Sequence, residues 1–456
     1  MNNFMQKILA LLTVFGFVFL FVGGQALAGD YLDIAKQTGI EIVEKDGAIM
    51  WTGEYGGQMK PQGPLAGKKI AVFASSEFSD YQAYYFMSYI GEFGGLCEFV
   101  LNNSHLWKEV RPNFGSKTPH GMWGLSLDPV PVVGGNKLSY KYLIGDDPAD
   151  PMAYDALIIM GDHSGDVAVA DPEAIKFIKA MVERNVPVAA IGGGIMPLIH
   201  IGAMNGKKCT GNRSVDYMLR KIADFRNEPV LTDGNIITGR HTADSAAVLR
   251  ALCKVIDPSY VDQHKGILKG KKVMIMIADD WEDIELSAPY LELMYRGADF
   301  IIGLFEPETK SRPGLLGLDV RHGNFGSTIP FQEIPDSYYT IIKKEDIKMS
   351  DFDIVFIPGA FNPWQISVMH REWLRDAWAA GKLIGAICHG AIPVAAADLV
   401  KGKKVAGWDA CYDSVVIMGG EHLIGTAAIV DGRLVTGQTP PQVPEFVDAM
   451  TYALLR

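Results

Sequence analysis

The chain repeats itself once, and that repetition sets the fold before any single motif is considered. LAGKKIAVFASSEFSDYQAYYFMSYIGEFGG (Leu65–Gly95) lays onto LKGKKVMIMIADDWEDIELSAPYLELMYRGA (Leu268–Ala298). YDALIIMG (Tyr154–Gly161) lays onto FDIVFIPG (Phe352–Gly359), and LTDGNIITGRH (Leu231–His241) onto IVDGRLVTGQT (Ile429–Thr439). The offset stays at about 200 residues throughout, which means one domain duplicated in tandem rather than a short-period solenoid. A chain of 456 residues with 48% apolar content can fill two such cores.

Within each copy, short apolar strands alternate with amphipathic helices. That pattern predicts an α/β domain with a mostly parallel sheet covered on both faces. The copies span residues 68–257 and 266–456, joined by a linker from Asp257-Pro258 to Gly266. Residues 29–67 precede them as an N-terminal extension, with a short helix over Asp30–Thr38 and a Gly/Pro-rich loop or arm over Gly53–Gly67. Each copy carries an irregular insert, Asn102–Pro151 and Glu306–Ser350, holding Trp107, Trp123, Phe325, Tyr338 and Tyr339. Inserts of this kind serve as lids or inter-domain packing surfaces.

The copies differ where chemistry would sit. GKLIGAICHGAIPVAAA (Gly381–Ala397) is an apolar strand that breaks at Cys388-His389-Gly390 into an Ala-rich helix. Strand, sharp corner and helix, with small residues on both sides, make a nucleophile elbow, and Cys388 is its corner. A sulfur over a helix N-terminus is expected to favour the thiolate. The first copy has Ile191-Gly192-Gly193-Gly194 in register with Ile387-Cys388-His389-Gly390, and Phe78-Ser79-Asp80 in register with Trp281-Glu282-Asp283. Nucleophile and acidic partner are lost together, so the first copy reads as a degenerate site. Its Gly run is weak evidence for a phosphate cradle.

AICHG with its helix and LVKGKKVAGW, KKVMIMIADDWEDIEL (Lys271–Leu286), FDIVFIPGA (Phe352–Ala360) and AAIVDGRLVTGQTP (Ala427–Pro440) together resemble the ThiJ/PfpI family of the class I glutamine amidotransferase-like fold. The resemblance implies two flavodoxin-like α/β sandwich domains in tandem. It implies Cys388 as nucleophile, Glu282 as the glutamate approaching it, His389 as a partner in a Cys-His pair, and the backbone N–H groups of Ala360 and His389 as oxyanion donors. Ala360 replaces the second Gly of the family's Pro-Gly-Gly, and Gln438 stands where related sequences often carry Arg. The implied chemistry is a cysteine-dependent hydrolase or lyase: peptidase-like on peptides, or glyoxalase- or deglycase-like on small reactive carbonyls. The alternative is a non-enzymatic stress protein, a thiol redox sensor or holdase; an inert binding module is a third reading. Family members commonly dimerise, so the resemblance also implies an intrachain pseudo-dimer in which the first copy stands in for a second subunit, with a higher homo-oligomer left open.

A net charge of −11 without Lys/Arg clusters argues against nucleic acid or an anionic membrane as partner. Five scattered cysteines with no CxxC form neither a zinc site nor a disulfide framework. Histidines at 120, 163, 200, 241, 322, 370 and 422 lack metal-ligand spacing, so neither a metal nor a cofactor is expected. Cys411 is expected to be a packed thiol. Residues 1–28 have the layout of a signal peptide: Lys7, an apolar stretch from Ile8 to Val22, and Ala26-Leu27-Ala28 as the cleavage site. The expected location is a bacterial periplasm or the exterior, with no membrane association after cleavage.

Overall fold

The computed structural model describes residues 27–52, 60, 62–103, 119–122, 139–305, 320–367 and 369–456. The apolar segment before Leu27, and Trp107 and Trp123, fall outside them. Apolar segments such as Ala156–Ile159, Val188–Ile191 and Ile354–Ile357 form strands buried along their whole length. Strands of this kind belong inside a sheet with helices on both faces.

The first half builds a seven-stranded sheet. Its order is Val230–Asp233, Ile236–Gly239, Val188–Ile191, Ala156–Ile159, Lys69–Ala74, Leu96–Leu101, Ser139–Tyr142. All neighbours are parallel except the terminal hairpin. The second half repeats that order from Thr426–Asp431 and Leu434–Gly437 through Leu383–Ile387, Ile354–Ile357, Lys272–Ile277 and Asp299–Leu304 to Thr340–Lys343. The duplicated α/β architecture expected from the repeat is present in both halves.

In the N-terminal extension the structure adds a hairpin not expected from the sequence, and residues 53–59 and 61 of the expected Gly53–Gly67 loop or arm lie outside the described residues. After a helix over residues 27–36, strands Glu41–Lys45 and Ala48–Thr52 form a hairpin. Its Asp46-Gly47 turn has φ of 52° and 79°, the left-handed pair a two-residue type I′ turn requires. Ala48–Thr52 then pairs antiparallel with Thr426–Asp431. The second half's sheet therefore has nine strands, two of them supplied by residues that precede the first half.

The halves pack through four helices, Asp80–Tyr89 and Ser245–Ile256 against Asp283–Tyr295 and Val443–Leu455, and one apolar cluster runs through both. At the centre, fully buried Glu292 accepts hydrogen bonds from Arg250 Nη1 (2.8 Å), Arg296 Nε (2.8 Å) and Tyr85 Oη (2.8 Å). Burial alone would raise its pKa, but Arg250 and Arg296 outweigh that and hold it down to about 2. Arg296 also reaches Asp448 at 2.8 Å, which accepts from Tyr31 Oη at 2.6 Å. The second insert adds to the same interface. Phe331 packs edge-on to Tyr81, Tyr338 accepts from Arg240, and Glu333 meets Ser79 and Thr242.

Candidate active site

The elbow forms as the sequence predicts. Strand Leu383–Ile387 ends at Cys388, whose φ of 59° lies in the left-handed region, and a 3-10 turn over Cys388–Gly390 leads into helix Ala391–Ala396. A non-glycine residue there costs about 1–2 kcal/mol, a strain held by packing on every side. Gly192 takes the same corner in the first half with φ of 53°. A Cβ there would meet Asn212 Nδ2 at 2.9 Å. The first half has kept the elbow's backbone and lost its nucleophile.

Two further left-handed corners flank the elbow at the same sheet edge, Asp280 (φ 57°) and Ala360 (φ 60°). The strand-end turn at Gly359-Ala360 lies directly on the cysteine. A Cβ on Gly359 would stand 2.7 Å from Cys388 Cβ, 3.1 Å from its Sγ and 2.4 Å from Glu285 Oε2. Only glycine fits between thiol and carboxyl. Ala360 holds the left-handed angle its family counterpart would reach as glycine.

The carboxyl group at the thiol is Glu285, which corrects the expectation that placed Glu282 there. Glu285 Oε2 accepts the Gly359 N–H at 2.8 Å and is in hydrogen-bond contact with the Cys388 thiol. Glu282 sits at the N-terminus of helix Asp283–Tyr295 without a side-chain cap bond, its Oε1 buried and unpartnered. It influences Cys388 only electrostatically, when ionised, and makes no hydrogen bond to the sulfur. One helical turn separates the two glutamates, and the tilt of the helix against the elbow decides which meets the sulfur. The repeat held a signal for this: Gln82 occupies the Glu285 position in the first half and likewise accepts the Gly161 N–H at 2.8 Å.

The charge state also departs from the expected free thiolate. Burial pushes the Cys388 thiol well up, and the Glu285 and Glu282 carboxyl groups add to that; the His389 backbone N–H pulls it back. Glu285 is itself pushed up to about 8 by burial, against the Gly359 N–H and the thiol contact. Glu282 is likewise raised well above its ordinary value, by burial first and then by the charges of Glu285 and Asp283. A carboxyl and a thiol in contact titrate as a pair: both hold their protons at pH 7, and as pH rises through about 8 one is lost and the other is shared. With that proton on Glu285, the sulfur becomes a thiolate that accepts from the carboxyl O–H and from the His389 N–H.

His389 turns back on its neighbour despite being adjacent in sequence. Its Nδ1 is 3.4 Å from Cys388 Sγ, and its ring tilts against Trp408 at 6.3 Å. The ring is half-buried, and burial lowers its pKa, so the imidazole is neutral at pH 7. Cys411 is buried as expected, its thiol donating to the Cys388 carbonyl oxygen at 3.6 Å. Gln438 is buried at the end of strand Leu434–Gly437. Among the described residues no group of three or more His, Cys, Asp or Glu side chains is placed to hold a metal ion.

Known proteins resemble this chain at low sequence identity. The chain is 25% identical over 315 residues to Protein DJ-1 homolog D of Arabidopsis thaliana, covering 67% of this chain and 78% of the relative. It is 26% identical over 179 residues to Protein/nucleic acid deglycase 2 of Escherichia coli, covering 39% of this chain and 93% of the relative. It is 27% identical over 138 residues to Deglycase TK1284 of Thermococcus kodakarensis, covering 30% and 83%. A family model described as the DJ-1/PfpI family matches residues 68–255 and 271–452, one match for each half. Both halves share that match and the same sheet order, and the chain belongs to the DJ-1/PfpI family.

Proposed function

We propose that the second half is a cysteine-dependent enzyme acting on small reactive carbonyl compounds, in the manner of a glyoxalase or deglycase. The observation that carries this reading is the contact between the Cys388 thiol and a glutamate whose pKa is pushed up to about 8. A glutamate tuned to that range can donate a proton to one atom of a substrate and accept one from another at neutral pH. The Cys388 sulfur adds to an aldehyde carbon, the carbonyl electron pair moves to oxygen, and Glu285 supplies the proton that neutralises it. The backbone N–H groups of His389 and Ala360 are the donors assigned to that oxygen. The names of two relatives as deglycases support this choice of substrate. Steady consumption of methylglyoxal by the full chain, abolished in Cys388→Ala, tests it. A single stoichiometric reaction with no turnover would favour a redox sensor instead.

The His389 Nδ1 at 3.4 Å from the sulfur supports a second reading, peptidase-like acyl transfer, in which the imidazole hands a proton to a leaving amine. Cleavage of a peptide panel that depends on His389 as strongly as on Cys388 would select it.

The first half is, on this proposal, a scaffold rather than a second catalyst. Gly192 and Gln82 replace the nucleophile and its acid, while its helices cover the second half's Asp283–Tyr295 helix, the one that carries Glu285. Export with cleavage after Ala28 completes the proposal. Tyr31, three residues on, remains to bond Asp448. An intact mass lacking residues 1–28 in the exported fraction tests it, and a full-length mass there overturns it.

A further inference from the structure

Cys411 has no part in the chemistry above, yet it lies against the elbow. It closes the 3-10 turn Asp409–Cys411, which packs on the Cys388–Gly390 turn, and it is fully buried. Its thiol points at the same residue that bears the nucleophile, donating to the Cys388 carbonyl oxygen at 3.6 Å. Both thiols lie within the field of Glu285. The other cysteines belong to the first half: Cys97 on strand Leu96–Leu101, Cys209 on Lys208–Cys209, Cys253 in helix Ser245–Ile256. None of the five is in a disulfide.

We propose that Cys411 is the resolving thiol of Cys388, so that oxidation of the elbow by a peroxide ends in an intrachain Cys388–Cys411 disulfide. The Cys388 thiolate attacks one peroxide oxygen, the O–O bond breaks and the other oxygen leaves as hydroxide or alkoxide. Sulfur is oxidised to the sulfenic acid and the peroxide is reduced. The Cys411 sulfur then attacks Cys388 Sγ, the S–O bond breaks, and the departing hydroxide takes the Cys411 proton as water. A dithiol reductant restores both thiols by exchange. The sulfur now at the Cys388 carbonyl has to move only to the Sγ of that residue, and the two turns that carry the thiols pack directly on each other. The disulfide would shield Cys388 from the irreversible sulfinic and sulfonic steps. This rests on Cys388 being a reactive thiol, as proposed above.

The test is a stepwise hydrogen peroxide titration of the full chain at neutral pH, followed by alkylation and non-reducing peptide mapping. The expected result is a linked peptide containing Cys388 and Cys411, loss of two free thiols together, and full reversal by dithiothreitol. In Cys411→Ser the same dose should instead add about 32 or 48 Da to Cys388, irreversibly. If that variant does not fold, the linked wild-type peptide decides alone. Wild-type Cys388 gaining about 32 Da while Cys411 stays free would overturn the inference. Where iodoacetamide still labels Cys388 rapidly, that outcome leaves the reactive-thiol reading standing; a Cys388 inert to both reagents sinks both.

Discussion

Gln82 and Glu285 make the same hydrogen bond in the two halves: each accepts the N–H of the strand-end glycine, Gly161 or Gly359, at 2.8 Å. The amide and the carboxyl group serve equally well as acceptors in the framework, and only the carboxyl can also carry a proton to a sulfur. The first half is a natural version of the same framework with the acid neutralised and the corner cysteine removed. The bond that positions residue 285 is structural, and on the proposed reading the proton on it is functional.

Glu285→Gln should therefore leave the fold intact, because Gln82 shows that an amide satisfies the glycine N–H. Turnover should fall by about 10²–10⁴-fold, the usual contribution of a positioned acid or base. The pH profile of Cys388 alkylation should lose its inflection at about 8, where Glu285 titrates. Glu282→Gln, which removes a titratable group but no contact with the sulfur, should cost far less. Equal losses in the two variants would put the acid back at Glu282.

Glu333 ties the halves together in a pH-dependent way. Its carboxyl group meets Asp162 as well as Ser79 and Thr242. Burial raises Asp162 to about 6 and Glu333 well above its ordinary value. Raised carboxyl pKa values mean this contact stabilises fully below the unfolded-state pKa of about 4 and is lost as pH climbs through 6. The thermal midpoint of the wild type should drop between pH 5 and 8 by more than that of Glu333→Gln. Parallel curves would contradict this.

Glu292 is held between Arg250 of the first half and Arg296 of the second. Removing one member of a buried charge cluster strands the others, at about 3–5 kcal/mol. Glu292→Ala should lower the denaturant midpoint by a corresponding amount and weaken activity through the shifted helix that carries Glu285. A midpoint within experimental error of wild type would mean the cluster does not hold the halves together.

Gly359→Ala places a methyl group 2.4 Å from Glu285 Oε2 and 2.7 Å from Cys388 Cβ. Overpacking of that kind costs about 1–3 kcal/mol, and here it falls on the thiol–carboxyl contact itself. Cys388 alkylation should slow at least tenfold while circular dichroism stays native. Unchanged reactivity would show that the contact does not set the thiol's state.

The duplicated α/β domain, the elbow and its cysteine were legible because they rest on local pattern: buried apolar runs, small residues at a corner, and a repeat that aligns them twice. The hairpin at Glu41–Thr52 was missed, although Asp46-Gly47 is a two-residue turn signal, and its partner strand at Thr426–Asp431 lies far along the chain. The choice between Glu282 and Glu285 was not written in their spacing. It depends on how helix Asp283–Tyr295 tilts against the elbow, a matter of packing between elements about 100 residues apart in sequence. The meeting of Glu333 with Ser79, 254 positions away, likewise exists only once the halves have docked.

The central claim, that Cys388 at its elbow beside Glu285 is the reactive centre, is tested most directly by competitive labelling. Limiting iodoacetamide is added to the folded chain at neutral pH, and peptide mapping ranks the five cysteines by rate. The account predicts that Cys388 is labelled first, and faster than the same residue in the urea-unfolded chain. Faster labelling of Cys97, Cys209, Cys253 or Cys411, or a Cys388 that reacts only after unfolding, would contradict it.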